Sequence, residues 1–295
     1  EAIIWSLVRW NYDDETIVFR RQNPNQTVQL DLKTNSTTVL DNFYGMLSPN
    51  GSYILRDNGE VWDIENHTSV QGLPNKVWGT DIKYTDKSWS PHAKRIALHF
   101  DIPRSSNTSI DTDILTVWTV GSDVRILHQW TNNSDMANRI VDFGWTEDEQ
   151  LLAIAENRNS EWQLVNVTTG IARAFYETNH YEVIIQDWSP DGHLLAISDF
   201  MSIQVWDIDR QEIIFSQFVN EASTAKFSSD GRYLAMSGAL EGAIIIWDSL
   251  NNTTSRIETD SIVGVVTIEW FNHDRNLITT VDKIAIWDVA EQKVI

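Results

Sequence analysis

Short apolar runs rich in Val, Ile, Leu and Trp alternate with polar turns along the whole chain. The runs are too short for ordinary helices, and Gly, Pro, Asp, Asn and Ser cluster at their ends, so they predict strands joined by tight turns. Two landmarks give these strands a period. The first is a Trp-Asp pair closing a β-branched run, at Trp62-Asp63, Trp206-Asp207, Trp247-Asp248 and Trp287-Asp288, the last three separated by 41 and 40 residues. The second is a bulky apolar residue just before a polar turn, at Trp10, Leu47, Trp89, Trp145, Trp188, Phe227 and Trp270. Together they divide the 295 residues into seven units of about 42, a spacing that marks a repeat architecture.

The distance between the landmarks lets the degenerate units be read as well. Unit one closes at Leu30-Asp31, unit three at Trp118-Thr119 and unit four at Val165-Asn166. Each unit runs apolar run, polar turn, apolar run, loop, apolar run closed by the pair, turn, and a weaker apolar run, which makes four short strands. The segments WSPDGHLLAIS…IQVWD at 188–207, FSSDGRYLAMSG…IIIWD at 227–248 and WFNHDRNLITT…IAIWD at 270–288 resemble the WD40 family, and the match extends over essentially the whole chain. That resemblance implies an all-β fold, a seven-bladed β-propeller of four-stranded antiparallel blades. The blades fall at approximately 1–40, 41–77, 78–134, 135–178, 179–219, 220–259 and 260–295. Seven in-phase repeats close only by acting together, so one domain is expected, as a module of a longer chain.

The chain departs from the family in two respects: the Gly-His dipeptide that usually opens a repeat is missing, and blades one and four lack the closing Trp. By resemblance, only blade five, with His180, Ser198, Asp199 and Trp206, approaches the family's buried hydrogen-bond network. The other blades are expected to rely on apolar packing. Lys293-Val294-Ile295 matches the start of the outer strand at Glu212-Ile213-Ile214, so blade seven is expected to take its outer strand from the C-terminus. The alternative is an N-terminal clasp from Glu1 to Ile4.

The 14 Trp suit thin sheets packed face to face, because large flat rings bury the most area there. Lys and Arg total 22 against 42 Asp and Glu, a net charge of −20, which disfavours a phosphate backbone and therefore nucleic acid. A basic partner and plain solubility explain the acidity equally well. No apolar stretch reaches the roughly 20 residues of a membrane-spanning helix, so no membrane insertion is expected of this segment. With no Cys in the chain, disulfides, thiolate nucleophiles and the usual zinc sites are removed together.

Nine N-x-S/T patterns occur, at Asn25, Asn35, Asn50, Asn66, Asn107, Asn132, Asn166, Asn251 and Asn252. They read either as glycosylation sites of a secreted protein or as turn residues selected for side-chain bonds to the backbone. The compartment, cytoplasmic or extracytoplasmic, is left open by the sequence.

Catalytic chemistry finds little support. There is no Gly-x-Ser-x-Gly elbow, and the seven His are scattered over blades two, three, five and seven without metal-ligand spacing. The run 101–113 places Asp111 and Asp113 at alternate positions but lacks the Gly and terminal Glu of an EF-hand, so it reads as a polar loop. No enzyme activity, cofactor or metal is expected. What remains is the loops of one rim, since function in such a fold lives there rather than in the blades. Trp78, Asp81, Tyr84, Asp101, Tyr181, Phe200 and Met201 are the rim residues expected to bind a protein or peptide partner, a basic one if the acidity serves binding. Aromatic residues and Met are enriched in such interfaces. Other readings are an accessory propeller of an enzyme, because WSPDG followed by LLA also resembles TolB and dipeptidyl-peptidase repeats, or a secreted or cell-surface structural subunit.

Overall fold

The structure is a computed structural model. It describes residues 9–10, 16–21, 26–31, 33–41, 45–56, 59–72, 76–77, 80–81, 83–102, 111–120, 124–132, 140–156, 161–176, 183–219, 221–238, 242–259, 265, 267–271, 273–280 and 284–294. The chain divides into two compact units, Glu1–Asn133 and Ser134–Ile295. Among the described residues there are seven four-stranded antiparallel sheets, each built from four consecutive strands in chain order.

The first unit holds blade one, with β1 (Arg9–Trp10), β2 (Thr16–Arg21), β3 (Gln26–Asp31) and β4 (Ser36–Asp41). Blade two follows, with β5 (Gly45–Leu47), β6 (Tyr53–Arg56), β7 (Glu60–Asp63) and β8 (Thr68–Gly72). A small ribbon of β9 (Lys76–Val77) and β10 (Thr80–Asp81) precedes blade three, which has β11 (Lys83–Trp89), β12 (Arg95–Ile102), β13 (Asp111–Thr119) and β14 (Val124–Asn132).

The second unit opens with blade four: β15 (Ile140–Trp145), β16 (Leu151–Glu156), β17 (Glu161–Asn166) and β18 (Ala172–Tyr176). Blade five has β19 (Ile184–Trp188), β20 (Leu194–Ser198), β21 (Ser202–Asp207) and β22 (Glu212–Phe218). Blade six has β23 (Ala222–Phe227), β24 (Tyr233–Gly238), β25 (Ala243–Asp248) and β26 (Thr253–Glu258). Blade seven has β27 (Thr267–Phe271), β28 (Asn276–Thr280), β29 (Ile284–Asp288) and β30 (Lys293–Val294). Because β30 pairs with β29 through Trp287↔Val294 and Asp288↔Lys293, the outer strand of blade seven comes from the C-terminal side. Glu1 to Ile4 lie outside the described residues.

Within each unit the core sits between successive blades, and strand alternation explains how. Leu195 and Ile197 of β20 pack on Ala153, Trp162, Leu164 and Phe175 of blade four. Ala196, between them, faces the other way and packs with Phe227, Met236 and Trp247 of blade six. A strand covered on both faces has no use for a polar alternate residue, which is why the middle strands read as continuous apolar runs rather than alternating ones. Wherever Trp is the anchor ending a first strand, its full burial removes roughly 200 Å² from water, about 5 kcal/mol as an upper bound.

Those anchors share one position: six of the seven end their strands and Trp270 is next to last in β27. The side chain of Trp10 lies outside the described residues. Trp89 Nε1 donates to the Met46 carbonyl at 3.0 Å, Trp188 Nε1 to Gly144 at 3.3 Å and Trp270 Nε1 to Lys226 at 2.9 Å. In each case the acceptor immediately precedes the anchor of the blade before. Gly144 is also a point of close approach, since a Cβ there would lie 2.9 Å from Ile185 Cγ2.

Candidate interaction rim

In an antiparallel blade the second and third strands meet at one rim, where the first strand begins and the fourth ends. In blade five that rim carries the β20–β21 turn. Its geometry is set by Asp199, buried at 4% exposure, whose Oδ1 accepts the Met201 and Ser202 amides at 2.7 and 2.6 Å. The Asp199 amide in turn donates to the Ser202 carbonyl at 3.0 Å. With the backbone closed by the carboxylate, Phe200 is carried at the apex and is 54% exposed, while Met201 beside it is half-buried.

Two further apolar side chains share this rim by register. Ile184 opens β19 opposite Ser198, and Phe218 ends β22 opposite Ser202. Both are exposed, Phe218 at 59%. Sequence reasoning missed them, although a signal for Phe218 was present: residues 213–220 form an uncharged run in a chain of net charge −20.

The other residues expected at the rim are described only in part. Trp78, His180 and Tyr181 lie outside the described residues. Asp81 lies on β10 opposite Lys76, Tyr84 on β11 opposite Phe100, and Asp101 on β12 between Lys83 and Asp113; for these three only strand position is described. The reading of 101–113 as a loop needs correction at both ends. The β12–β13 ladder continues through Asp101↔Asp113 to Ile102↔Thr112, and Asp111 pairs with Asn132, so blade three carries strands of eight and nine residues.

A second correction concerns the network expected in blade five. The Ser198 hydroxyl accepts Gln186 Nε2 at 2.7 Å, Asp199 caps its own turn, and the buried Trp206 Nε1 has no hydrogen-bond partner among the described residues. The reason is register. Leu195 stands opposite Trp206, and Ser198, three residues on, points to the opposite face of the sheet. Blade seven makes the bond instead: Thr279, two residues beyond Leu277 and on the Trp287 face, accepts Trp287 Nε1 at 2.9 Å. Asp199 is thereby committed to the backbone of its own turn rather than to a side-chain network.

The opposite rim is ordered by the closing carboxylates. Asp31, Asp63, Asp207, Asp248 and Asp288 each accept the amide three residues ahead, and Asn166 does so in blade four. Five of the sequon asparagines serve these same turns, Asn166 among them. Asn66 and Asn251 donate Nδ2 to Asp63 and Asp248, Asn252 accepts the Trp247 indole, and Asn35 adopts φ of 54°. Asn50 closes the β5–β6 turn by accepting the Ser52 amide. Asn25 and Asn107 lie outside the described residues, and Asn132 is described by its strand position alone.

Charge on this rim is locally paired. Arg232 donates to Asp248 in a two-pronged contact at 2.7 and 3.2 Å, and this hydrogen bonding, with that from Asn251 and Leu250, holds the Asp248 carboxyl well below its ordinary range. His193 is raised, first by its hydrogen bond to Asp209 at 2.6 Å and then by the charges of Asp209 and Asp191. Among the described residues no group of three His, Asp or Glu is placed to hold a metal ion.

A family model described as eukaryotic translation initiation factor eIF2A matches residues 85–239, more than half of the chain. The chain belongs to the eIF2A family. It is also similar to the Set1 complex component swd1 of Schizosaccharomyces pombe, 30% identical over 76 residues, which is 25% of this chain and 19% of that protein. The match therefore spans less than a fifth of that relative's length. Among solved structures, the β-propeller domain of Cps50 (Swd1) from Myceliophteria thermophila aligns with a TM-score of 0.70 at 13% identity, covering 98% of both chains. An oligogalacturonate lyase in complex with manganese aligns with a TM-score of 0.66 at 15% identity, covering 93% of this chain and 85% of the lyase. At these identities the likeness shows the fold, and the fold is the WD40-type β-propeller.

Proposed function

We propose that this chain is a non-catalytic scaffold that binds a protein or peptide through one rim of its propeller. The observation that carries the reading is Phe200, held exposed at the apex of a turn whose backbone is already closed by Asp199. The backbone of the turn is closed by the Asp199 carboxylate, and interface centres are enriched in aromatic residues. The rim residues are Trp78, Asp81, Tyr84 and Asp101 in the first unit and Tyr181, Phe200 and Met201 in the second. The family name and the swd1 likeness support the reading, since the first names an initiation factor and the second a component of a complex.

The test begins with proteins captured on the immobilised chain, each then purified and titrated against wild type and Phe200→Ala. A genuine rim partner loses about 2 kcal/mol or more, roughly a 30-fold rise in Kd, while the melting temperature stays unchanged. Equal affinity for both forms in every captured protein would remove the rim from the account.

The likeness to a lyase favours one competing reading, that of a propeller belonging to an enzyme. Incubation with oligogalacturonate and Mn²⁺, followed for unsaturated products by ultraviolet absorbance, separates the two. Turnover would establish the enzyme, and the scaffold reading expects none.

A further inference from the structure

The outer strand of blade five combines three properties that point to a specific mode of binding. It is the terminal strand of its sheet among the described residues. It is also uncharged from Ile213 to Asn220, whereas β26, the corresponding strand of blade six, carries Arg256 and Glu258 in an ion pair. Edge strands are normally blunted by such charges or by bulges. In β22 a register shift between Val205 and Trp206 disturbs the lower half, where Val205 faces Phe215 and Trp206 faces Ile213, and leaves Phe215 to Phe218 in regular pairing.

The direction of the free backbone groups follows from the ladder. Val219 N donates to the Met201 carbonyl at 3.0 Å, so Val219 and Met201 form a hydrogen-bonded pair. Bonded and non-bonded pairs alternate in an antiparallel ladder, so Gln217 and Phe215 turn their backbone groups toward β21. Ser216 and Phe218 turn theirs outward. Consistent with this, the Phe218 carbonyl accepts the Gln217 side-chain amide at 3.0 Å. The exposed ring of Phe218 lies at the top of this edge, on the same rim as Phe200 and Ile184.

Charge selects the occupant. From His180 to Val219 the sequence holds seven carboxylates and one arginine, and with Asp199 committed to its turn and Asp187 paired with Lys226 five carboxylates remain against that arginine, within a chain of net charge −20. A second copy of this chain would bring the same negative charge to the edge. We propose that β22 accepts an extended segment of a basic protein as a fifth strand, pairing with the outward groups of Ser216 and Phe218 and setting an apolar side chain against Phe218, with Lys or Arg flanking it. This deepens the scaffold reading and rests on it, replacing contact with a rim loop by strand addition.

The test selects displayed 12-residue random peptides on the full chain and titrates the enriched sequences by fluorescence anisotropy against wild type, Ser216→Pro, Phe218→Asp and Phe200→Ala. Proline at Ser216 deletes an outward amide and leaves the β21 ladder intact, a placement that edge strands tolerate, and thermal melting checks each variant. The expected result is enrichment of Lys or Arg around alternating apolar residues, with Kd raised at least tenfold by Ser216→Pro and by Phe218→Asp, and weakened by added salt. Peptides that bind Ser216→Pro as well as wild type but lose affinity for Phe200→Ala overturn strand addition and leave the rim reading standing. Peptides indifferent to all three variants overturn both, and no enrichment, or enrichment without a basic bias, overturns the assignment of a basic strand.

Discussion

Trp206 and Trp287 occupy the same position in blades five and seven, yet only Trp287 has its indole N–H satisfied, by Thr279. The residue standing where Thr279 stands is Ile197 in blade five and Met236 in blade six, as the pairs Ile197↔Gln204, Met236↔Ile245 and Thr279↔Ala285 show. Blade six compensates by turning Asn252 toward Trp247, and in blade two the equivalent residue, Arg56, lays its guanidinium 4.0 Å from the Trp62 ring centroid. Ordinarily Thr is worse than Val in a core because of its hydroxyl. At position 197 the hydroxyl has a buried orphan donor to meet, so Ile197→Thr should be at least as stable as Ile197→Val in chemical denaturation; the usual deficit for Thr would show that Trp206 gains nothing from an acceptor there. Conversely, Thr279→Val should cost about 1 to 3 kcal/mol by stranding the Trp287 N–H. The Ser198–Trp206 part of the blade-five network implied by the family resemblance fails at this scale, because a match of residue types does not fix the face each presents, which depends on whether an odd or even number of residues separates it from a cross-strand partner.

At the scale of strands and turns the sequence was far more legible, because spacing rather than identity carries the repeat. Four residues after six of the seven anchors the backbone turns left-handed, at Gly51, Ala93, Glu149, Gly192, Gly231 and Asp274, and four residues after each closing Asp or Asn at Asn35, His67, Gly170, Gln211, Asn252 and Gln292. Only four of these twelve positions are Gly, so a search for glycine turns would have found a third of them while the landmarks locate them all. The length of blade three was not legible, since the polar run 101–113 gives no apolar signal where its strands extend. The turn after β25 supports a pH prediction. Asp248 is depressed by Arg232, so its contribution to stability is fully present above the ordinary carboxylate value near 4 and is lost as pH falls through its native value. Asp248→Asn should therefore lower the melting temperature at pH 7 and narrow its gap to wild type as the pH is taken well below about 4. A gap that stays constant into that range would mean the contact with Arg232 does not depend on ionisation.

For the whole molecule, the open issue is cooperativity. A propeller blade buries its faces only against neighbours, so its stability is a sum of weak intrinsic terms and interface terms between adjacent repeats. The clusters that join blade four to five, five to six and six to seven each contain several fully buried large side chains, with Trp162, Leu195 and Ile197 in the first of them. No blade in this series has a private core that would survive loss of the next. We propose on this ground that the entire chain unfolds as one domain, although it divides into two compact units at Asn133 and Ser134. Scanning calorimetry should give a single transition with calorimetric and van't Hoff enthalpies in agreement. Leu195→Ala, which opens a cavity in the blade four–five interface and should cost about 2 to 5 kcal/mol, should move that whole transition down. Two resolved transitions, with Leu195→Ala shifting only one, would instead assign the second unit a stability of its own and make 134–295 a separately folding half.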